Sequence, residues 1–334
     1  MLLNALLMWL SAYGASGAWD AARPAPFDAV GGPSLPRHAF QLGLREDVAW
    51  LRSEYPAVCP DVNPSFCEKQ PLPVHVREEE VLVSRSSLSL RWGVTDQVQL
   101  ALVMPVELRS GSVDVQLVDG TPYTPPYLEL HTVDERLVGL ADGRFYLSMV
   151  GPPTRGWDLA FALGSTLPWA KSQPDPYRAG AAGRAHTHLT WGEGVPIPLA
   201  YTSVAWRTAR WGLGGSLAGR LPLWTNAEGL RASRTLGLLV EPMVWPAPRI
   251  GIGAGVGLEL RGPEVWSGLE HGGQMSVFVG PQAEAQVVPR LALSLAARVQ
   301  VMEQLWDRQD EPSFVMPFQL RLALDWRPKA RPGP

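Results

Sequence analysis

Trp157-Asp158-Leu159-Ala160-Phe161-Ala162-Leu163-Gly164-Ser165-Thr166-Leu167-Pro168-Trp169 decides the fold. Its odd positions are apolar, Ser165 excepted, and its even ones are small or polar. Successive side chains of an extended strand point to opposite faces, so this stretch has one greasy face and one small, polar face. A helix would scatter the same residues around its axis. The pattern recurs at 250–260, where Ile250, Ile252, Ala254, Val256, Leu258 and Leu260 alternate with Gly251, Gly253, Gly255, Gly257 and Glu259. It recurs again at 291–301 and in Phe318, Leu320, Leu322, Leu324 and Trp326 set against Gln319, Arg321, Ala323 and Asp325.

The same test along the chain predicts strands at 38–49, 80–94, 97–108, 137–150, 157–168, 185–206, 211–223, 232–245, 250–261, 273–287, 291–303 and 313–326. Every second connection is short: Thr95-Asp96, 151–156, 207–210, 246–249 and 288–290. The others, 50–79, 109–136, 169–184, 224–231, 262–272 and 304–312, are generally longer and richer in Pro, Gly and charge. Alternating short turns and long loops, with an even strand number, predict an all-β fold, a transmembrane antiparallel up-and-down β-barrel of about twelve strands. A soluble sandwich has no reason to segregate its connections in this way.

Composition agrees. Of 334 residues 18% are charged, below the roughly 25% usual for soluble proteins, and there are 33 Gly, 32 Pro and 14 Trp. Net charge of −3 offers no basic footprint, so no nucleic-acid partner is expected. Trp92, Trp157, Trp206, Trp211, Trp245 and Trp326 fall beside the short turns or at the last strand's end, and Trp169, Trp224 and Trp306 beside the long loops. Two aromatic girdles at the membrane interfaces are the expectation.

Met1 to Leu10 is an apolar run that passes into small residues up to Ala18, without a preceding basic residue. It reads as a signal peptide over 1–18, followed by a periplasmic Pro-rich segment at 19–37, the barrel at 38–326 and a tail at 327–334. No later run approaches the 18 or so apolar residues of a transmembrane helix. Localisation to the outer membrane of a Gram-negative cell follows, with outer-membrane lipid, the barrel-assembly machinery and a small solute as partners. Cys59 and Cys67 flank a Pro-rich turn segment and are expected to form a local disulfide in an oxidising compartment.

Apolar parity toward lipid sends Arg85, Arg91, Gln97, Gln99, Glu107, Arg144, Asp158, Arg220, Glu241, Glu259, Gln282, Glu284, Arg298, Gln300, Arg321 and Asp325 into the lumen. A lining of both signs either closes a narrow barrel through salt bridges or borders a weakly selective path. The glycine row 251–257 leaves room on one wall for a solute or an inserted segment. His186 and His188 share one face near the outer rim. They have no serine at hydrolase spacing and no adjacent third metal ligand, so no catalytic residue, metal or cofactor is expected.

Leu88 to Leu100, reading LSLRWGVTDQVQL, is similar to the strand-turn-strand "YGLTDRLEL" of bacterial outer-membrane proteins known as transporter or phenol-degradation meta-pathway-like barrels. Gly139-Leu140-Ala141-Asp142 resembles that group's "GLGD" and Gly192-Glu193-Gly194-Val195 its "GTG". The resemblance implies a barrel and an outer-membrane compartment. A channel or transporter passing a small solute, a hydrophobic one among the candidates, is the expected function; a closed structural or binding barrel acting through its outer loops is the alternative.

Overall fold

A computed structural model describes residues 35–57, 73–124, 135–151, 157–182, 191–208, 210–247, 249–288, 291–305 and 315–326. The residues expected to form the signal peptide, the Cys59–Cys67 bridge, the His186/His188 pair, Trp306 and the tail lie outside them.

The wall begins with β1 (Phe40–Ala57), β2 (His75–Gly93) and β3 (Val98–Leu117). It continues through β4 (Glu135–Leu140), β5 (Gly143–Val150), β6 (Trp157–Leu167), β7 (Pro198–Arg207) and β8 (Trp211–Arg220). After a short β9 (Leu230–Arg231) come β10 (Thr235–Ala247), β11 (Ile250–Arg261) and the short pair β12 (Glu264–Trp266) and β13 (Leu269–His271). The last wall strands are β14 (Gln274–Val288), β15 (Leu291–Leu305) and β16 (Val315–Trp326). Thirteen of these strands form one antiparallel sheet, which closes because β1 pairs with β16 and β2 with β3. Since β4 and β5 are two halves of one wall strand, the barrel has twelve. Both halves pair with β3, through Val106–Leu140 and Val103–Arg144.

Closure pairs the wall strands on both sides, β4 alone among the described residues being paired on one side only, and the outward parity is apolar on nearly every strand. On β6 Trp157, Leu159, Phe161 and Leu163 are exposed while Ala160 and Ala162 are buried. On β11 Ile250, Ile252 and Val256 are exposed while Glu259 is fully buried. This is a soluble protein's pattern turned inside out, and only a hydrocarbon surround stabilises it. No helix among the described residues is long and apolar enough to cross a membrane; the strands are what cross.

Three details differ from the sequence expectation. The first strands run longer than expected, β2 starting at His75 and β3 ending at Leu117, because Glu78, Glu79 and Glu80 pair with Asp114, Val113 and Ser112, respectively. The sixth strand expected at 185–206 starts only at Pro198; residues 191–197, broken by Gly192, Gly194 and Pro196, are irregular. Gln97 stands exposed in the β2–β3 turn instead of lining the lumen.

The outer loops are also not bare. A three-stranded sheet of β9, β12 and β13 and a six-residue helix α1 (Pro176–Ala181) sit among them. Asp175 caps α1 by accepting from Arg178 N at 3.1 Å, and its other oxygen accepts from Ser267 at 2.5 Å, tying two loops together.

Candidate functional site

The site is the barrel interior. Arg85, Arg91, Gln99, Glu107, Arg220, Glu241, Glu259, Arg298 and Arg321 are buried there, and Arg144, Asp158 and Glu284 share the inward parity at partial exposure. They are brought together in separate groups. Near the turn end Arg91 donates to Gln41 at 2.9 Å and to Gln99 at 2.5 Å, while Gln41 donates to Asp325 at 3.2 Å. One level outward, Glu107 is fully buried between two guanidiniums: it pairs with Arg85 and accepts from Arg109 at 2.9 and 2.5 Å. A third group joins β1, β16, β15 and β10. Asp47 accepts from Arg45 at 2.8 Å and from Arg321 at 2.9 Å, and Arg298 stands 3.6 Å from Glu241. Charges this deeply buried persist only when paired, because desolvation otherwise exceeds what each gains.

Level with Arg109, the ladder partner of Val83, and outward of Glu107 and Asp47 lies an apolar layer that sequence reasoning missed. Ala49 and Leu51 of β1, Val81 and Val83 of β2 and Phe278 of β14 form one buried cluster, with Leu137 of β4 packed on it. Strands β14 and β4 stand on either side of β1 and β2, so side chains from well-separated parts of the wall meet across the bore. The signal was present: on β1 the inward parity reads Gln41, Gly43, Arg45, Asp47, Ala49, Leu51, polar at the turn end and apolar at the loop end. On β10 Leu239 likewise stands above Glu241.

Residues 191–197 narrow the outer mouth. The ring of Trp191 lies 5.7 Å from the guanidinium carbon of Arg109 and would lie 3.6 Å from a Cβ on Gly139, both inward positions. Glu193 pairs with Arg220 at 2.7 Å, and Ile197 is fully buried. The segment is anchored by a kink. Between β4 and β5 the wall strand carries one residue more than β3 opposite, and the Asp142 carboxylate accepts from Ala170 N at 3.0 Å and from Glu193 N at 2.8 Å. Among the described residues β4 has no ladder partner on its side away from β3.

The girdle residues divide. Trp157 and Trp206 pair outward across β6 and β7 with ring centroids 6.4 Å apart, Trp92 stacks on Phe40 at 6.2 Å, and Trp211 and Trp326 are exposed at the same end. Trp169 and Trp224 are exposed at the loop end, joined by Trp50. Trp245, expected in the girdle, instead turns inward. It shares the parity of Glu241, and its ring lies where Gly212 and Gly251 have no side chains. The glycine row is accordingly part filled: a Cβ on Gly251 or Gly253 would meet Met243 or Trp245 within about 3 Å, whereas at Gly255 the nearest atom is 3.5 Å away.

Beside Gly255 a cavity of about 40 Å³ opens between β10, β14, β15, β16 and β1, lined by Arg45, Glu241, Met243, Glu284, Arg298 and Arg321 among others. No group of three or more His, Cys, Asp or Glu able to hold a metal occurs among the described residues.

These features define a class: a transmembrane up-and-down barrel with an apolar layer stacked on ion-paired belts. No protein-family model and no curated protein matches the chain. Among solved structures, it is similar to an outer membrane channel from Pseudomonas putida F1, with 12% identity over 91% of this chain and 100% of that one and a TM-score of 0.59. A Pseudomonas aeruginosa FadL homologue is less similar in shape, at 12% identity, 92% and 94% coverage and a TM-score of 0.42. The Pseudomonas putida toluene transporter TodX stands at 11%, 97% and 96%, and 0.38. The likeness is one of fold.

Proposed function

We propose that this chain resides in a Gram-negative outer membrane and passes a small solute with an apolar body through a narrow bore. The observation that carries the reading is the apolar layer of Ala49, Leu51, Val81, Val83, Leu137 and Phe278 inside a barrel whose exterior is also apolar. A constriction of this kind excludes water and with it hydrated ions, while an apolar solute crosses it without losing hydration it never had. Below it, ion-paired belts hold the interior charges in place without requiring a wide aqueous channel.

The test is reconstitution of the full chain into lipid vesicles and planar bilayers, after a gel shift between boiled and unboiled protein has shown folding. Steady ionic conductance is expected to be small, and entry of a small apolar probe such as toluene into a vesicle-enclosed reporter faster than in protein-free vesicles. A large, continuously open conductance would replace this reading with a general aqueous pore. Low conductance with no faster entry would replace it with a closed barrel acting through its outer loops.

A further inference from the structure

Two cations stand at the outer girdle of the lipid-facing wall without an ion pair or side-chain hydrogen bond among the described residues. Arg136 is exposed on the parity of Val138 and Leu140, which are themselves 66% and 58% exposed. Its ladder row runs through Ser110 and Leu82 to Trp50, the girdle residue of β1. Lys171 is exposed two residues beyond Trp169, whose indole donates to the Ala141 carbonyl at 2.6 Å, while Ala170 N donates to Asp142. Residues 169–171 therefore run beside the inner end of β4, and both cations border the exposed strip of Val138 and Leu140.

The sign of this rim changes around the barrel. Outward acids of the neighbouring strands lie across β3 or farther outward: Glu78 and Glu80 on β2, and Asp114 beyond Ser110 on β3. Glu78 is bridged to Arg52 at 2.6 Å. On the β4 side Arg136 and Lys171 have no such partner. A long cationic side chain above an apolar strip lays its stem on the hydrocarbon and lifts its charge to the level of the lipid headgroups. Two of them side by side attract an anionic headgroup whose chains lie on the strip below.

In a Gram-negative outer membrane the outward leaflet supplies this chemistry as lipid A, a bisphosphorylated glycolipid with several acyl chains. Phosphate oxygens accept charge-assisted hydrogen bonds from guanidinium and ammonium alike, and Ser110, opposite Arg136, adds a hydroxyl donor. We propose that the β4 face is a docking site for lipid A, with Arg136 and Lys171 on its phosphates and Val138, Leu140 and Trp169 beneath an acyl chain. The site lies on the outside of the wall and is independent of which solute crosses the bore.

The experiment is native mass spectrometry of the full chain, refolded in detergent free of lipopolysaccharide and titrated with lipid A. The wild type is expected to retain the lipid, and Arg136→Gln combined with Lys171→Gln to raise the apparent dissociation constant by about tenfold or more. Arg178→Gln removes an exposed cation that stands 3.6 Å from Asp175 and is expected to change nothing. Should the double variant fail the gel-shift test of folding, a second arm leaves the protein untouched: lipid A stripped of both phosphates is expected to bind the wild type about tenfold or more weakly. No retained lipid A, a double variant that binds as the wild type does, or indifference to the phosphates overturns the proposal. Phosphatidylglycerol held as tightly as lipid A also overturns it, since the face would then be a general anionic-lipid surface.

Discussion

Ser84 donates a hydrogen bond of 2.5 Å to the carboxylate of Glu46, and Ser86 holds its other oxygen, all three on the outward parity of β1 and β2. Glu46 follows Phe40, Leu42 and Leu44 and precedes Val48 and Trp50 on that face. An apolar band about 25 Å tall therefore carries an acid near its middle. The two serines satisfy the oxygens, but neither supplies a counter-charge. Replacing Glu46 by Leu is expected to raise the unfolding free energy in lipid vesicles by about 1–2 kcal/mol, since the lost serine bonds are worth less than a carboxylate's desolvation. Urea titration followed by tryptophan fluorescence reads it, and a less stable variant would show that the acid is held by a contact outside the chain.

Inside the wall the sign reverses. Glu107 is the shared anion of Arg85 and Arg109, all three essentially unexposed. Glu107→Leu leaves two guanidiniums facing each other in a poorly solvated space. A loss of about 3–5 kcal/mol is expected, enough to move the heat-modifiable gel transition well down in temperature. Recovery by a second change, Arg85→Leu, would separate unpaired charge from lost packing; no recovery would mean that Glu107 acts through its volume.

The wall was legible in the sequence because lipid on one side and charge on the other impose strict period-two alternation, as along Trp157–Leu167 and Ile250–Arg261. The turn and loop alternation fixed strand order for the same reason. What was not legible depends on contacts between residues distant in the chain. Glu46 interrupts an outward row that otherwise reads as apolar, and only the pairing of β1 with β2 brings Ser84 and Ser86 to it. Phe278 reads as one more inward residue of β14 until closure sets it against Val81 and Val83. Nearness to a turn points Trp245 to the girdle, although its parity with Glu241 places it inside. The Gly192–Val195 stretch reads as strand because single-strand alternation carries no information about a segment that leaves the wall.

Asp142 is the hinge of that departure. Its two oxygens accept backbone N–H groups from Ala170 and Glu193, and the neighbouring Ala141 carbonyl accepts from the indole of Trp169 at 2.6 Å. Asp142→Ala removes both charge-assisted bonds and strands two amides, at a cost of about 2–4 kcal/mol local to residues 168–197. Hydrogen exchange of the Ala170 and Glu193 amides is expected to accelerate by at least tenfold while the β14–β15 ladder keeps its protection. Uniform acceleration throughout the barrel would instead make Asp142 part of global stability.

Phe278 completes the apolar layer from the side of β14, and a Cβ on Gly257 would lie 3.8 Å from its Cβ and 3.7 Å from a Leu239 methyl. Truncation to Ala removes most of a ring from the level at which Ala49, Leu51, Val81 and Val83 meet it. In an ordinary core such a change costs about 3–5 kcal/mol, largely through the cavity it leaves. Here the ring stands in a bore continuous with polar groups on both sides, Arg77 and Glu79 above and Arg85 below on β2. Water can fill the space, so the stability cost is expected to fall below that range and the gain to show in permeation. Single-channel recording of Phe278→Ala should give a steady ionic conductance several times that of the wild type, and Phe278→Leu a smaller rise. If both variants conduct no more than the wild type, the barrier to ions lies in the charged belts, and a paired loss of Arg298 and Glu241 becomes the change that opens the bore.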